Sequence, residues 1–156
     1  TILIPRHIDR TTKIVNQIKK LNLKIHLHNS KKKVDRNTDI YLVNSFGQTK
    51  SFFKICKTVF LGGSIIEHGG QNPLEAARFG CKILHGPHVW NFDEIYKLLQ
   101  KKKISNKIIN TNQLANEVSR ILGGKNENRN LELKIKNLGN KILNSTLNEV
   151  NIYINK

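Results

Sequence analysis

The chain has 156 residues, and its 27 Lys and Arg against 11 Asp and Glu give a formal net charge of +16. This length suits one domain with a buried core. No apolar run approaches the ~20 residues that cross a bilayer, which excludes a membrane-spanning segment within these residues. The sequence contains no methionine, and we interpret it as part of a longer chain.

The positive charge has two explanations. A basic surface attracts nucleic acid, anionic lipid headgroups or phosphorylated substrates, and a membrane surface suits this chain better than DNA. The alternative is composition alone, because Lys, Ile and Asn are abundant throughout the sequence and the lysine runs 31–33 and 101–103 are typical of solvated surface. Aromatic residues do not interleave with the lysines, so a nucleic-acid partner is not expected. Cys56 and Cys81 lie in apolar contexts, which predicts reduced, buried thiols of a cytosolic protein.

Strand and helix patterns alternate along the chain. Short apolar or alternating runs predict strands at 2–4, 24–28, 40–43, 58–61 and 82–85, and near Ile108. Apolar residues at helical spacing predict helices at 8–21, 49–56, 72–79, 91–100 and 112–122. The alternation predicts an α/β fold, a Rossmann-like doubly wound parallel sheet with right-handed crossovers.

The sequence predicts three segments. Residues 1–122 form the α/β domain, 123–130 a polar hinge, and 131–156 a long amphipathic helix whose apolar residues include Leu131, Ile135, Leu138 and Ile142.

Polar or glycine-bearing turns follow four of the predicted strands. Ligands of doubly wound sheets bind beyond the carboxyl ends of the strands, which is where these turns would lie. The turns are Pro5-Arg6-His7, Ser45-Phe46-Gly47, Gly62-Gly63-Ser64 and Gly86-Pro87-His88.

The most informative segment runs from Phe60 to Glu75. A glycine pair follows the strand at 58–61, a second pair stands at Gly69 and Gly70, and Asn72-Pro73-Leu74-Glu75 then opens a helix. Glycines let backbone N–H groups approach a ligand, and a helix start adds further N–H groups and a positive dipole end. The segment therefore predicts a cradle for an anion, most simply a nucleotide phosphate. Asn72 is predicted to be the N-cap as well, with the amides of Leu74 and Glu75 free.

Arginine and histidine residues near the ends of the predicted strands are further candidates for a binding site. Arg6, next to His7, follows the first strand, where a guanidinium can hold a phosphate or carboxylate through two hydrogen bonds. His26 with His28, and His85 with His88, have the spacing of metal ligands, but no carboxylate or cysteine completes either set, so no metal is expected. A G-x-S-x-G elbow, a Walker A loop and a G-x-G-x-x-G loop are all absent from the sequence.

These residues resemble the C-terminal half of the 3-deoxy-D-manno-octulosonic acid (Kdo) transferases. The resemblance covers about residues 2–122 and is carried by Pro5-Arg6-His7, Leu61-Gly62-Gly63-Ser64, Glu67-His-Gly-Gly-Gln-Asn-Pro-Leu-Glu75 and Gly86-Pro-His-Val-Trp-Asn-Phe92. It implies a GT-B glycosyltransferase of lipopolysaccharide synthesis, working without a metal at the cytoplasmic face of the inner membrane. The C-terminal domain would bind the donor CMP-Kdo. An N-terminal domain, absent from this chain, would bind the lipid A precursor and supply a glutamate base.

The resemblance also implies which residues contact the donor. They are Pro5 and Arg6, then Phe46, Gly47 and Gln48, and finally Asn72, Pro73, Leu74 and Glu75. His7 and the glycine turn Gly62, Gly63 and Ser64, which follow predicted strands, are predicted to belong to the same donor site. The chain departs from the family at Asn44-Ser-Phe-Gly-Gln48, where Asp-x-Met-Gly-Glu is usual. Gln48 in place of glutamate removes one negative charge.

No residue of the chain is a good candidate for the catalytic base, so the isolated fragment is expected to bind donor weakly and not to turn over. The fragment is also expected to be soluble. Two other functions stay open. One is another GT-B transferase or epimerase that uses a UDP-sugar, which would not prefer CMP to UMP. The other is a basic nucleic-acid-binding module, for which no helix-turn-helix or RNP motif is present.

Overall fold

The computed structural model describes residues 1–28, 33–124 and 130–154. Lys31 and Lys32 of the first lysine run, most of the predicted hinge, and the last two residues of the predicted terminal helix lie outside the described residues. The chain forms two compact units, Thr1–Phe52 and Phe53–Lys156, and each is described by itself.

The first unit contains three short parallel strands. They are β1 (Ile2–Leu3), β2 (Ile25–Leu27) and β3 (Ile40–Leu42), hydrogen-bonded in the order β1-β3-β2. Helix α1 (Thr11–Lys19) joins the first two strands and follows a 3₁₀ turn at Ile8–Arg10. Helix α2 (Thr49–Ile55) follows β3 and contains the boundary between the units. Leu42 and Val43 are fully buried, as expected for a central strand with helices at its faces.

The second unit contains three parallel strands in chain order. They are β4 (Thr58–Leu61), β5 (Lys82–His85) and β6 (Ser105–Lys107), and β5 pairs with both neighbours. The helices are α3 (Leu74–Arg78), α4 (Asp93–Lys101) after a 3₁₀ turn at Trp90–Phe92, α5 (Thr111–Gly123) and α6 (Leu131–Ile154). Asn110 caps α5 by accepting a hydrogen bond from the Gln113 amide at 2.8 Å.

The core of the second unit lies where α3 and α4 pack on the sheet. Small side chains at Ala76 and Ala77, both fully buried, allow α3 to approach its neighbours closely. The buried cluster comprises Phe53, Leu61, Ala76, Ala77, Cys81, Ile83, Val89, Tyr96, Leu99, Ile104 and Leu131. Its last member belongs to α6, whose first turns pack against α3.

Helix α3 ends as its sequence predicts. Gly80 has φ +71°, a conformation that glycine adopts without strain. A Cβ at this position would lie 3.2 Å from the Glu132 Cβ of α6, so glycine also permits the close contact between the two helices.

The later turns of α6 carry apolar side chains that are about half exposed, including Ile142, Leu143, Leu147 and Val150. Within the part of the chain that the structure describes, no helix is both long and apolar enough to cross a membrane.

The predicted α/β class with parallel strands is confirmed, and its strands are hydrogen-bonded as two three-stranded sheets. Strands β4 and β5 have the predicted bounds, while the strand expected near Ile108 lies at Ser105–Lys107. The long terminal helix is present from Leu131. The division into 1–122, 123–130 and 131–156 stays a prediction.

Candidate functional site

The loops after β4 and β5 leave the sheet side by side. The two strands are parallel, and Leu61 is in register with His85. The predicted site residues Gly62, Gly63 and Ser64 therefore lie next to the turn that begins at Gly86. This is the carboxyl end of the sheet, where the sequence analysis expected the ligand.

Ser64 ties these two loops together. Its side chain is fully buried, and the hydroxyl donates to the Leu61 carbonyl at 2.6 Å and accepts from the Gly86 amide at 2.9 Å. Its own carbonyl accepts from the His88 amide at 2.9 Å. The sequence analysis predicted that Ser64 contacts the donor. In the structure the Ser64 hydroxyl links the two loops through hydrogen bonds to Leu61 and Gly86. Contact between Ser64 and the donor stays a prediction.

The second glycine pair closes the loop back onto the first. The Gly70 amide donates to the Gly63 carbonyl at 2.9 Å, and the Gly69 carbonyl accepts from the Asn91 amide at 3.3 Å. Gly69 has φ +80°, and a Cβ there would lie 2.1 Å from Asn91 Nδ2. The loop after β4 can take this course only with glycine at that position, because another residue would strain the backbone and displace a side chain.

The start of α3 differs in detail from its prediction. The helix begins at Leu74 with Pro73 in the capping position, because the Pro73 carbonyl accepts from the Ala77 amide at 3.0 Å. Asn72 stands one residue earlier, and its Oδ1 accepts from the Leu74 amide at 2.9 Å. The Asn72 side chain therefore makes the predicted capping contact, one residue before the observed boundary of the helix, and the prediction that the Leu74 amide is free was wrong. The physical reason is a local turn, in which an Asn side chain bonds the backbone two residues on.

The exposed parts of this loop system are Gly62, the segment 66–68 and the start of α3. Gly62 is exposed, its φ lies outside the left-handed region, and a Cβ built on it meets nothing within 4 Å. Asn72 and Leu74 are exposed and Glu75 is half-buried. Gly62 thus offers an open approach to the backbone at the end of β4, supported by neighbours that are fixed by hydrogen bonds.

A buried polar cluster lies beneath these loops. The His85 ring is fully buried, with Nδ1 2.8 Å from the Gly86 carbonyl and Nε2 2.9 Å from Gln100 Nε2. The Tyr96 ring packs against it at a centroid distance of 4.2 Å, and the Tyr96 hydroxyl donates to the Gln71 carbonyl at 2.8 Å. Burial lowers the pKa of His85 and raises that of Tyr96, so both are neutral at pH 7. The sequence analysis missed this cluster, since Tyr96 and Gln100 belong to an ordinary amphipathic pattern.

The first unit also brings two predicted loops to one end of its sheet. Leu3 of β1 is in register with Leu42 of β3, so Pro5, Arg6 and His7 leave the same end as Phe46, Gly47 and Gln48. Arg6 and His7 are exposed, and Phe46 is 77 % exposed.

The loop after β3 is shaped by its glycine and by the start of α2. Gly47 has φ +78° with open space around its Cβ position, and the Gln48 carbonyl accepts from the Ser51 amide at 3.0 Å as α2 begins. The predicted ligand contacts of this unit stay predictions.

The histidines considered as metal ligands have other contacts. His26 stacks on Tyr41 with ring centroids 5.2 Å apart, and His28 Nδ1 lies 2.7 Å from the Tyr41 hydroxyl. His88 packs edge-on against Trp90. Among the described residues no group of three or more His, Cys, Asp or Glu could hold a metal ion.

Comparison with known proteins finds several curated relatives of this chain. No family model matches the chain. It is 35% identical over 133 residues to the 3-deoxy-D-manno-octulosonic acid transferase of Rickettsia prowazekii, covering 85% of this chain and 28% of that protein. The same enzyme of Haemophilus influenzae is 33% identical over 98 residues, covering 63% and 23% respectively.

A solved structure shares the fold. The crystal structure of the C-terminal CMP-Kdo binding domain of WaaA from Acinetobacter baumannii superposes with a TM-score of 0.79 and 23% sequence identity, covering 87% of this chain and 71% of that one. The fold is thus that of the C-terminal domain of a GT-B glycosyltransferase. The chain belongs to the 3-deoxy-D-manno-octulosonic acid transferase family, as the sequence resemblance indicated. It spans about a quarter of the length of these curated relatives.

Proposed function

We propose that this domain binds CMP-Kdo as the donor-binding part of a Kdo transferase. The observation that carries the proposal is the loop system at the carboxyl ends of β4 and β5, where the family motif residues are held by backbone hydrogen bonds around an exposed Gly62. Support comes from relatives named Kdo transferases and from the fold of a domain described as CMP-Kdo binding.

The proposed chemistry follows from the charge of the leaving group. When the bond between Kdo and CMP breaks, negative charge develops on the departing phosphate. Fixed backbone N–H groups and cationic side chains stabilise that charge without reorganising. We assign the phosphate to the backbone around Gly62 and Gly63, and the nucleoside to the segment from Asn72 to Glu75.

The finer points of the proposed reaction concern the whole enzyme. We propose that Kdo is transferred to the lipid A precursor with inversion and without a metal, at the cytoplasmic face of the inner membrane. The base that deprotonates the acceptor hydroxyl is proposed to lie in an N-terminal acceptor domain. On this proposal the present 156 residues bind donor but do not catalyse transfer.

An amide-resolved NMR titration of the domain with CMP, with UMP as the control, tests the proposal. We expect shifts at Gly62, Gly63 and the segment 72–75, and tighter binding of CMP than of UMP. Equal responses to both nucleotides would favour the UDP-sugar alternative. Shifts spread over the lysine-rich surface would contradict the placement of the site.

A matched pair of glycine variants sharpens the test. Gly62→Ala places a methyl group where the protein itself leaves open space, whereas Gly139→Ala does the same on the exposed face of α6. Both variants are expected to fold. Gly62→Ala should weaken CMP binding by about tenfold, because the methyl group blocks backbone approach. Gly139→Ala should leave CMP affinity unchanged. Equal affinity in the two variants would sink the assignment of Gly62.

A further inference from the structure

A cavity lies at the amino ends of β4, β5 and β6, opposite the loops of the candidate site. Its volume is about 1080 Å³, and it opens where the chain enters β4, β5 and β6. The lining residues belong to these three strand starts, to the end of α5 and to the start of α6.

Five of the lining residues are cations: Lys57, Lys82, Lys103, Arg120 and Lys134. No Asp or Glu of the described chain lines the cavity, but Glu117 pairs with Arg120 at 3.0 Å and so offsets one of these charges. The sheet itself gathers three of them: Lys57 and Lys103 stand just before β4 and β6, and Lys82 is the first residue of β5. The backbone fixes their spacing, since the Lys82 amide donates to the Lys57 carbonyl at 2.8 Å and Lys82 Nζ to the Lys103 carbonyl at 2.8 Å. Like charges converging in a cavity raise the local positive potential and attract anions.

Two further features of the cavity bear on its attraction for anions. Thr58 Oγ1 is buried without a hydrogen-bond partner in the described structure, and Thr58 lines the cavity. Helix α6 begins at the cavity with Leu131, and the amino end of a 24-residue helix carries partial positive charge. An anion suits the positive amino end of this helix.

We propose that this cavity is a binding site for a phosphate-bearing anion, separate from the donor site at the other end of the sheet. Phosphate is favoured over a single carboxylate because several cations surround one space. Two sources share this chemistry, an anionic lipid headgroup and a free polyphosphate. Ile55 is 69 % exposed and Leu122 is 81 % exposed beside the cations, as contact with lipid chains would require.

The test compares two triple variants of equal charge. Lys57→Gln with Lys103→Gln and Lys134→Gln removes three cavity charges and keeps Lys82, whose Nζ holds the Lys103 carbonyl. The control removes three exposed charges outside the cavity by Lys13→Gln, Lys20→Gln and Lys136→Gln. Melting followed by circular dichroism verifies that each variant folds. If the triple variant fails to fold, Lys134→Gln alone, on an exposed position of α6, takes its place.

The probes are inorganic pyrophosphate, measured by calorimetry, and vesicles of phosphatidylcholine and phosphatidylglycerol in equal parts, measured by co-sedimentation. We expect at least one probe to bind, with the cavity variant weakened by about tenfold and the control by less than about twofold, as loss of charge-assisted hydrogen bonds predicts. Vesicle binding that depends on the cavity identifies a lipid headgroup, and pyrophosphate binding alone identifies a free anion. Equal losses in both variants, or no binding of either probe, would overturn the proposal.

Discussion

Gly86 lies so close to Ser64 that a side chain has no room between them. The Gly86 amide donates to the Ser64 hydroxyl at 2.9 Å, and a Cβ built on Gly86 would lie 2.0 Å from the Ser64 carbonyl oxygen. The atom in the way belongs to the backbone, which cannot rotate aside as a side chain does. The loops that follow β4 and β5 are therefore held at a separation that only glycine permits.

Gly86→Ala is expected to destabilise the domain by about 3 kcal/mol or more, since the methyl group must push two backbone segments apart. Gly139→Ala is the matched control: its Cβ position on α6 is open, and alanine in a helix interior is worth about 1 kcal/mol over glycine. Urea unfolding of the two variants measures both effects. Equal stability of Gly86→Ala and the parent would contradict the close contact.

Ser64→Ala is expected to lower the free energy of unfolding by about 1–3 kcal/mol, because it leaves the buried Gly86 amide without its acceptor. Thr146→Ala provides the comparison, since that hydroxyl donates to the Ile142 carbonyl on an exposed face of α6. Its removal should change stability by less than about 0.5 kcal/mol. A loss of similar size in both variants would mean that Ser64 does not hold the loops.

Acidification is expected to destabilise the domain through His85. Burial lowers the pKa of His85 from its ordinary value of 6.5, so below about pH 6.5 the unfolded chain takes up a proton that the folded domain resists. This contribution is fully present above pH 6.5 and is lost as the pH falls from there towards the folded pKa.

Denaturant unfolding at a series of pH values between about 7.5 and 5 measures the slope. His85→Gln should be less stable but should lose much of the acid-dependent slope. His7→Gln, at an exposed position, should keep it. An unchanged slope in His85→Gln would assign the pH dependence to other groups.

Cys81 is expected to resist thiol reagents in the folded domain. Burial, with a smaller effect of Cys56, raises the pKa of Cys81 to about 11, and its Sγ donates to the Cys56 carbonyl at 3.1 Å. Timed alkylation with iodoacetamide, read by mass spectrometry, should modify Cys56 before Cys81.

The same thiol gives a dependence on alkaline pH. The ordinary pKa of a cysteine thiol is 9.0, so above pH 9 Cys81 loses its proton in the unfolded chain but keeps it in the folded domain. The free energy of unfolding should therefore fall as the pH rises from 9 towards about 11. Cys81→Ala should flatten this decline.

In the alkylation experiment, rapid labelling of Cys81 at neutral pH under native conditions would contradict its burial.

Much of the fold follows from local sequence. Strands β4 and β5 have the predicted bounds because each is a short apolar run that ends at glycine or histidine beside a turn. The Leu74 amide was wrongly predicted to be free because the sequence does not show which amide of the first turn the Asn72 side chain will bond. The loop contacts that require glycine at Gly69 and Gly86 depend on residues distant in sequence, so the motif was recognisable but its steric reason was not.

The candidate site was predictable from motifs, whereas the cavity at the amino ends of β4, β5 and β6 was not. Lys57, Lys82 and Lys103 belong to different segments of the chain, and each alone is typical of a solvated surface. Their meeting depends on parallel pairing in register, which places the beginnings of three strands together. The sheet topology thus brings together, at one end of the sheet, lysines that in the sequence are indistinguishable from the generally lysine-rich composition.

The two sheets also differ in how they can assemble. In the second unit each strand pairs with the one made just before it, so β5 can add to β4 and β6 to β5 as the chain leaves the ribosome. In the first unit β1 and β2 both pair only with β3, so neither has a partner until the third strand is synthesised. During synthesis, β1 and β2 of the first unit therefore keep unpaired edges until β3 is made, whereas the sheet of the second unit can form one strand at a time.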